Sequence, residues 1–262
     1  MKFVYWNSKK HSNFSVILEI LIQESPDVLF LAETEVAVVA SNIKSLADND
    51  YEHFENPGCD RIIMIKKIAL KVSLSKQSTY YSAIRDHSKN VTVISVHLPS
   101  QMFQHIDGLK SYIRGFRSEI DVEFGDSLTE NILIIGDFNV NPFEKPMIDF
   151  DGFAASNSIK LRKEAVHLTN RKALYYNPTW MLYRQNNFPG TKYFRRPSGS
   201  AFDILEHHFL DQVILSYQMS QKITSENIDV LHKTSSYTLF DITKNSIYLS
   251  DHLPLIYEYK MS

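Results

Sequence analysis

Asp137 and Asn139 stand two residues apart in ILIIGDFNVN (132–141). A carboxylate and a carboxamide aimed at one spot can hold and polarise a water molecule. In an extended chain, residues i and i+2 point the same way, so the spacing predicts that both project from a strand's end. Gly, Asp and Asn suit a plain turn equally well. Recurrence argues for chemistry. Asn7 closes KFVYW, Glu33 follows DVLFLA, and His97 follows VTVISV. Asp211 lies inside FLDQVIL, and Asp251-His252 interrupt IYLSDHLPLIYEY. Each of these could be a turn residue, a solvated acid or a hydrogen-bonded core histidine. All of them stand beside a buried apolar run.

The combined set makes chemical sense. Hard cations such as Mg²⁺, with Mn²⁺ as an alternative, take oxygen ligands and usually need only one or two protein carboxylates beside water and substrate phosphate. Glu33, Asp251 and the amide oxygen of Asn7 would supply such a site. Zinc is disfavoured, because Cys59 is the only cysteine and no helix carries a His-x-x-x-His pair. Phosphodiester cleavage needs a positioned water, a group to orient or deprotonate it, and charge stabilisation on the phosphoryl oxygens. Asp137 with Asn139 suits the water, and histidines with acid partners suit the proton transfers.

Positioning these groups requires buried strands. ILII (132–135), VLFLA (28–32), RIIMI (61–65), YYSAI (80–84) and VTVISV (91–96) are β-rich runs. KFVYW (2–6) opens the chain as a short strand. Residues 11–24 carry apolar groups at helical spacing, with Ser12 as N-cap and Ser25-Pro26 as the stop. Residues 36–47 and 103–123 are expected helices, the second with Ile106, Leu109, Ile113, Phe116 and Ile120 on one side. From 142 to 200 the pattern is irregular, with turn signals at Asn177-Pro178, Pro189-Gly190 and Pro197 to Gly199, and 221–246 is polar and mixed. Strands alternating with helices in the first half argue for α/β layering.

Composition sets outer limits. The chain has 262 residues, 44% hydrophobic and 22% charged, enough for a sizeable core. A net charge of −2 argues against gross affinity for nucleic acid while leaving room for a local basic patch. A lone cysteine, no signal-like apolar run at the start and no membrane-length segment lead to an expectation of a cytoplasmic, mature chain with no membrane association.

The order of the blocks resembles the endonuclease/exonuclease/phosphatase superfamily, which includes deoxyribonuclease I, exonuclease III and the apurinic/apyrimidinic endonucleases. WN (6–7), LAETE (31–35), SVHLPS (95–100), GDFNVNP (136–142), LDQVILS (210–216) and SDHLPL (250–255) carry the resemblance and span almost the whole chain. It implies a four-layer α/β sandwich: two mixed sheets packed face to face, helices outside, and catalytic loops along one edge. It also implies a single catalytic domain over 1–262, since Asn7 and His252 must meet. Glu33 then corresponds to the principal metal-binding glutamate, Asn7 to its partner and Asp251 to a further acid near the metal. Asp137 and Asn139 correspond to the pair acting on water, His252 to the phosphate-contacting histidine and Asp211 to its acid. His97 corresponds to the second histidine of the deoxyribonuclease I branch, where abasic-site enzymes carry tyrosine. That histidine has a glutamate partner in its branch, for which Asp60 in CDRIIMI is the candidate.

The substrate expectation rests on 161–200, which holds eight Lys or Arg against one Glu with Trp, Tyr and Phe interleaved. Basic groups neutralise phosphates and aromatic faces stack on unpaired bases, which singles out Trp180, Tyr193, Arg195 and Arg196 as nucleic-acid contacts. A solvated hairpin with its aromatics turned inward is the plainer alternative. A phosphoesterase acting on an inositol phosphate or sphingomyelin is a second function class. Against it, Ile135 precedes the glycine where inositol phosphatases have tryptophan, and Asn141 replaces their arginine. The secreted sphingomyelinases would want a signal peptide. A non-catalytic binding module is the third class, disfavoured because every strand-end polar group is present. No obligate protein partner is readable.

Overall fold

A computed structural model describes residues 1–9, 13–100, 106–158, 160, 163–184, 190–193 and 207–262. Among them, two large mixed sheets dominate. The first is six-stranded and contains β1 (Lys2–Asn7), β2 (Val28–Ala32), β3 (Tyr51–Phe54), β4 (Ile62–Lys67), β16 (Ile223–Val230) and β19 (Leu255–Met261), in the order β16-β19-β1-β2-β4-β3. The second is seven-stranded and contains β5 (Ser73–Ser78), β6 (Tyr81–Asp86), β7 (Val91–His97), β8 (Ile132–Asp137), β9 (Ala155–Ser156), β12 (Tyr175–Tyr176) and β15 (Asp211–Ser216), in the order β5-β6-β7-β8-β15-β12-β9. Short hairpins join β10 (Glu164–His167) to β11 (Asn170–Ala173), β13 (Lys192–Tyr193) to β14 (His207–His208), and β17 (Phe240–Asp241) to β18 (Ser246–Ile247).

Side-chain alternation builds the layers. Along β8, Leu133 and Ile135 join the core shared with the first sheet, while Ile132 and Ile134 join the core under α4 (Ile106–Phe124). β15 repeats this, with Val213 and Leu215 on one side and Ile214 on the other. Both strands are therefore apolar on both faces, as their unbroken apolar runs predict. Leu109, Ile113, Phe116 and Ile120 of α4 cover the outer face of the second sheet. Phe14, Ile17, Ile20 and Leu21 of α1 (Phe14–Glu24) enter the core of the first. The result is a four-layer α/β sandwich.

Several boundaries differ from expectation, each for a local reason. Asn13 caps α1, its Oδ1 accepting from Ser15 N at 3.0 Å; the expected cap Ser12 lies outside the described residues. The single helix expected over 36–47 is two, α2 (Val36–Ala40) and α3 (Ile43–Ala47). At the break, Ser41 Oγ donates to Ala37 O and Asn42 Nδ2 to Val38 O, both at 2.8 Å, so side chains compete with the helical ladder. The mixed stretch 221–246 contains β16, whose polar ITSENIDV has no alternating apolar signature because the strand closes a sheet edge. Two further helices, α5 (Lys145–Ile148) and α6 (Tyr217–Lys222), and a 3-10 helix at Pro178–Arg184 fill connections. Among the described residues no helix is long and apolar enough to cross a membrane.

Candidate active site

Register assembles the floor of the site. β7 pairs parallel with β8, placing His97 beside Asp137, and β8 pairs antiparallel with β15, placing Asp137 beside Asp211. Three consecutive strands thus end on titratable side chains, all buried. Gly136 makes this closeness possible: its φ is +146°, and a Cβ there would lie 2.1 Å from Val96 O. No side chain fits where these strands meet.

Asp137 and Asn139 are arranged differently from expectation. Asn139 does not continue the strand; its φ is +53°, and its backbone N–H donates to Asp137 Oδ1 at 2.8 Å. Its Nδ2 donates to Leu98 O at 2.8 Å. The turn reading was right about the backbone. Extended i, i+2 geometry was not, and the turn itself clamps the Asp137 carboxylate.

The first sheet contributes from loops. His252 Nδ1 lies 2.8 Å from Asp211 Oδ2, and its Nε2 lies 3.9 Å from Asp137 Oδ2. Trp6 Nε1 donates to His252 O at 3.0 Å, and Ser250 Oγ donates to Asn7 O at 2.7 Å, so the start of the chain holds the late loop in place. Burial is the largest influence on His252 and pushes its imidazole down, yet Asp211 and Asp137 together outweigh it and leave the imidazole raised above its ordinary value. Burial holds the Asp211 carboxyl above its usual range against the pull of His252.

Glu33 follows β2 in the left-handed region, with φ +51°. Its Oε1 accepts from Asn7 Nδ2 at 3.2 Å and lies 3.6 Å from His97 Nε2. The expected partner of His97, Asp60, does not fill that role. Asp60 is exposed, whereas His97 Nδ1 is buried without a hydrogen-bond partner among the described residues and Nε2 faces Glu33.

Asp251 is drawn onto two lysines: Lys9 Nζ lies 2.7 Å and Lys192 Nζ 3.1 Å from its Oδ2. Burial alone would raise the Asp251 carboxyl, but Lys192, Lys9 and His252 hold it below the ordinary range. Lys192 Nζ also lies 2.9 Å from His252 Nε2. Sequence reasoning counted Lys192 within a basic stretch and gave it no place in the site. Nothing local distinguishes it, since its partners are about sixty residues away.

The expected nucleic-acid contacts divide. Tyr193 is 5% exposed, its ring centroid 4.6 Å from that of His207 and 4.5 Å from that of Phe240, so it packs inward as the plainer alternative required. Trp180 is half-buried, 5.4 Å from the exposed Tyr183 ring, which lies 4.1 Å from Phe209. Arg195 and Arg196, and the turn signals at Pro189 and Pro197 to Gly199, lie outside the described residues.

The donors differ in how well they fit a divalent cation. Asp137, Asp211 and His252 offer ligand atoms within 4.8 Å of one another. Both imidazole nitrogens are already engaged, by Asp211 and by Lys192, and nitrogen is a poor donor for Mg²⁺. This trio fits a hydrogen-bonded acid–base group better than an ion cage. Glu33 fits a hard cation: among the described residues no protein group engages its Oε2, its side chain is 37% exposed, and Asn7 holds its other oxygen.

No protein-family model and no curated protein matches the chain by sequence. Solved structures match along its whole length. D. rerio TDP2 complexed with a single-strand DNA product superposes with a TM-score of 0.64 at 14% identity, covering 100% of this chain and 99% of that one. An AP endonuclease from Archaeoglobus fulgidus gives 0.58 at 14% identity, covering 100% of both chains. The 3' phosphatase NExo from Neisseria, bound to a product DNA hairpin, gives 0.51 at 15% identity and 99% of both.

Proposed function

We propose that this chain, whose fold is that of the endonuclease/exonuclease/phosphatase superfamily, is a divalent-metal-dependent phosphodiesterase that hydrolyses a nucleic acid by in-line attack of water. The whole of 1–262 acts as one catalytic unit in this reading. The observation that carries it is the buried Asp211–His252–Asp137 arrangement beside the solvent-exposed carboxylate of Glu33.

Asp137 holds the attacking water, its carboxylate oriented by the Asn139 backbone N–H. Asn139, pinned to Leu98 O, lines the same turn and fixes the direction of approach. His252 is kept protonated at Nδ1 by Asp211 and turns Nε2 toward the scissile phosphate. His97 stands one strand over from Asp137 and supplies a second imidazole to the phosphoryl oxygens. Glu33 and Asn7 would hold Mg²⁺ or Mn²⁺, which when bound neutralises charge developing on the phosphate. The half-buried Trp180 and exposed Tyr183 offer ring faces near the Asn141 turn, where Phe209 N donates to Asn141 Oδ1 at 2.9 Å. Two of the neighbours above are described bound to a DNA product and the third as an AP endonuclease, which supports the substrate class.

The decisive test is a substrate panel with Mg²⁺, Mn²⁺ and EDTA arms: duplex and single-stranded DNA, RNA, abasic DNA, an inositol phosphate and sphingomyelin. Cleavage of a nucleic acid in the metal arms and none in EDTA is expected. Glu33→Gln should shift the metal requirement upward without lowering the melting temperature. Turnover confined to the inositol phosphate or sphingomyelin would move the substrate assignment, and inertness toward the whole panel would overturn it.

A further inference from the structure

Lys192 sits where a substrate's charge must go. His252 Nδ1 is committed to Asp211, so only Nε2 is left to reach a phosphate, and Lys192 Nζ lies 2.9 Å from that nitrogen. Any phosphoryl oxygen that accepts a hydrogen bond from Nε2 therefore arrives within bonding reach of the ammonium. Glu33, Asp137, Asp211 and Asp251 all border this pocket, and a phosphodiester brings a further negative charge. An ammonium inserted among them lowers the repulsion that the incoming anion would meet.

The backbone around Lys192 shows that the placement is built. Thr191 N donates to His208 O at 2.8 Å, and Leu253 N donates to Thr191 O at 2.9 Å. Tyr193 N donates to Asp251 O at 2.8 Å, and Asp211 N donates to Thr191 Oγ1 at 3.0 Å. The 191–193 segment is thus wedged between the strand that begins at Asp211 and the loop that carries Asp251 and His252. The buried Tyr193 ring anchors its far side. With its neighbours tied on both edges, the Lys192 side chain is aimed at the pocket and is 16% exposed, against 57% for Lys9.

We propose that Lys192 is a substrate-contacting residue that binds a non-bridging oxygen of the scissile phosphate together with His252. In the resting protein its ammonium bridges His252 Nε2 and Asp251; the phosphate takes the place of the imidazole as its acceptor, and Nε2 takes up a proton from solvent and donates to the same phosphate. The inference rests on the phosphodiesterase reading of the site.

The test compares wild type, Lys192→Met and Lys192→Arg on two substrates, bis(p-nitrophenyl) phosphate and a single-stranded oligonucleotide, at saturating Mg²⁺. Lys192→Met is expected to lose roughly 10²-fold in kcat/KM on both substrates alike, because the minimal diester has no other phosphate to contact. Lys192→Arg should recover at least a tenth of the wild-type value, and all three proteins should melt together. A Lys192→Met protein that turns over the minimal diester like wild type would overturn the proposal. So would a loss confined to the oligonucleotide, which would place Lys192 on a flanking phosphate. An equal loss in the arginine variant would make the role structural and would overturn it too. If wild type hydrolyses neither substrate, the functional reading falls, and inorganic phosphate decides Lys192 alone. Thermal protection by phosphate in wild type but not in Lys192→Met sustains the contact; no protection in wild type removes it.

Discussion

The two sheets contribute to the pocket by different means. From the second come His97, Asp137 and Asp211, side chains at the ends of adjacent strands, held in register by backbone pairing and all buried. From the first come Asn7 at a strand end, Glu33 in a left-handed turn, and Asp251 and His252 in the loop before β19. These are positioned by side-chain hydrogen bonds and ion pairs, and Glu33 is open to solvent. A strand-end group cannot move without breaking a sheet ladder, whereas a loop group can exchange partners. On the function proposed above, the contrast gives preorganised reaction chemistry to the second sheet and adaptable capture of ions and substrate to the first.

That contrast can be broken in graded ways. Asp137→Ala should lower kcat by about 10²–10⁴-fold while leaving the melting temperature unchanged or raised, since it removes a buried carboxylate beside Asp211. Single-turnover assays alongside calorimetry check this, and a modest loss would mean that the floor does not do the chemistry. Gly136→Ala should cost on the order of 2–4 kcal/mol of folding stability, because its Cβ would meet Val96 O. A denaturant midpoint like that of wild type would show that the register tolerates slack.

The smallest effect concerns the joint between the sheets. Glu226 in β16 accepts from Tyr257 of the first sheet at 2.8 Å and from Tyr176 of the second at 3.0 Å. Burial raises its carboxyl above the ordinary 4.5, partly offset by the two tyrosines. The folded protein then holds the proton more tightly than the unfolded chain does. The associated stability is present below 4.5 and is lost as pH rises through the raised value. Melting temperatures of wild type and Glu226→Gln followed upward from pH 4.5 should diverge in favour of the variant. Parallel curves would remove Glu226 as the titrating joint.

The sequence made the inner strands legible because burial on both faces writes an unbroken apolar run, as in ILII and VTVISV. The candidate site residues are visible as the polar residues that end those runs. Edge strands β5 and β16 escaped, since one exposed edge and a solvated face admit Ser, Lys, Glu and Asn. Lys192 escaped for another reason: its importance lies wholly in pairing with Asp251 and His252, a long-range fact with no local signature. Tyr193 was misjudged by the same blindness, because a tyrosine in a basic stretch looks alike whether it stacks on a base or anchors a strand. Asp60 was offered to His97 by analogy of position, and the exposed turn around it points the carboxylate's residue to solvent.

β1 lies between β2 and β19, so residues from opposite ends of the polypeptide are hydrogen-bonded neighbours. Lys2 faces Glu258 and Tyr5 faces Leu255 in that ladder. Without Leu255–Met261, β1 would keep only β2 beside it and, among the described residues, β16 would have no neighbouring strand. That one strand therefore holds two others in the sheet, and its loss would open the ladder on both sides at once.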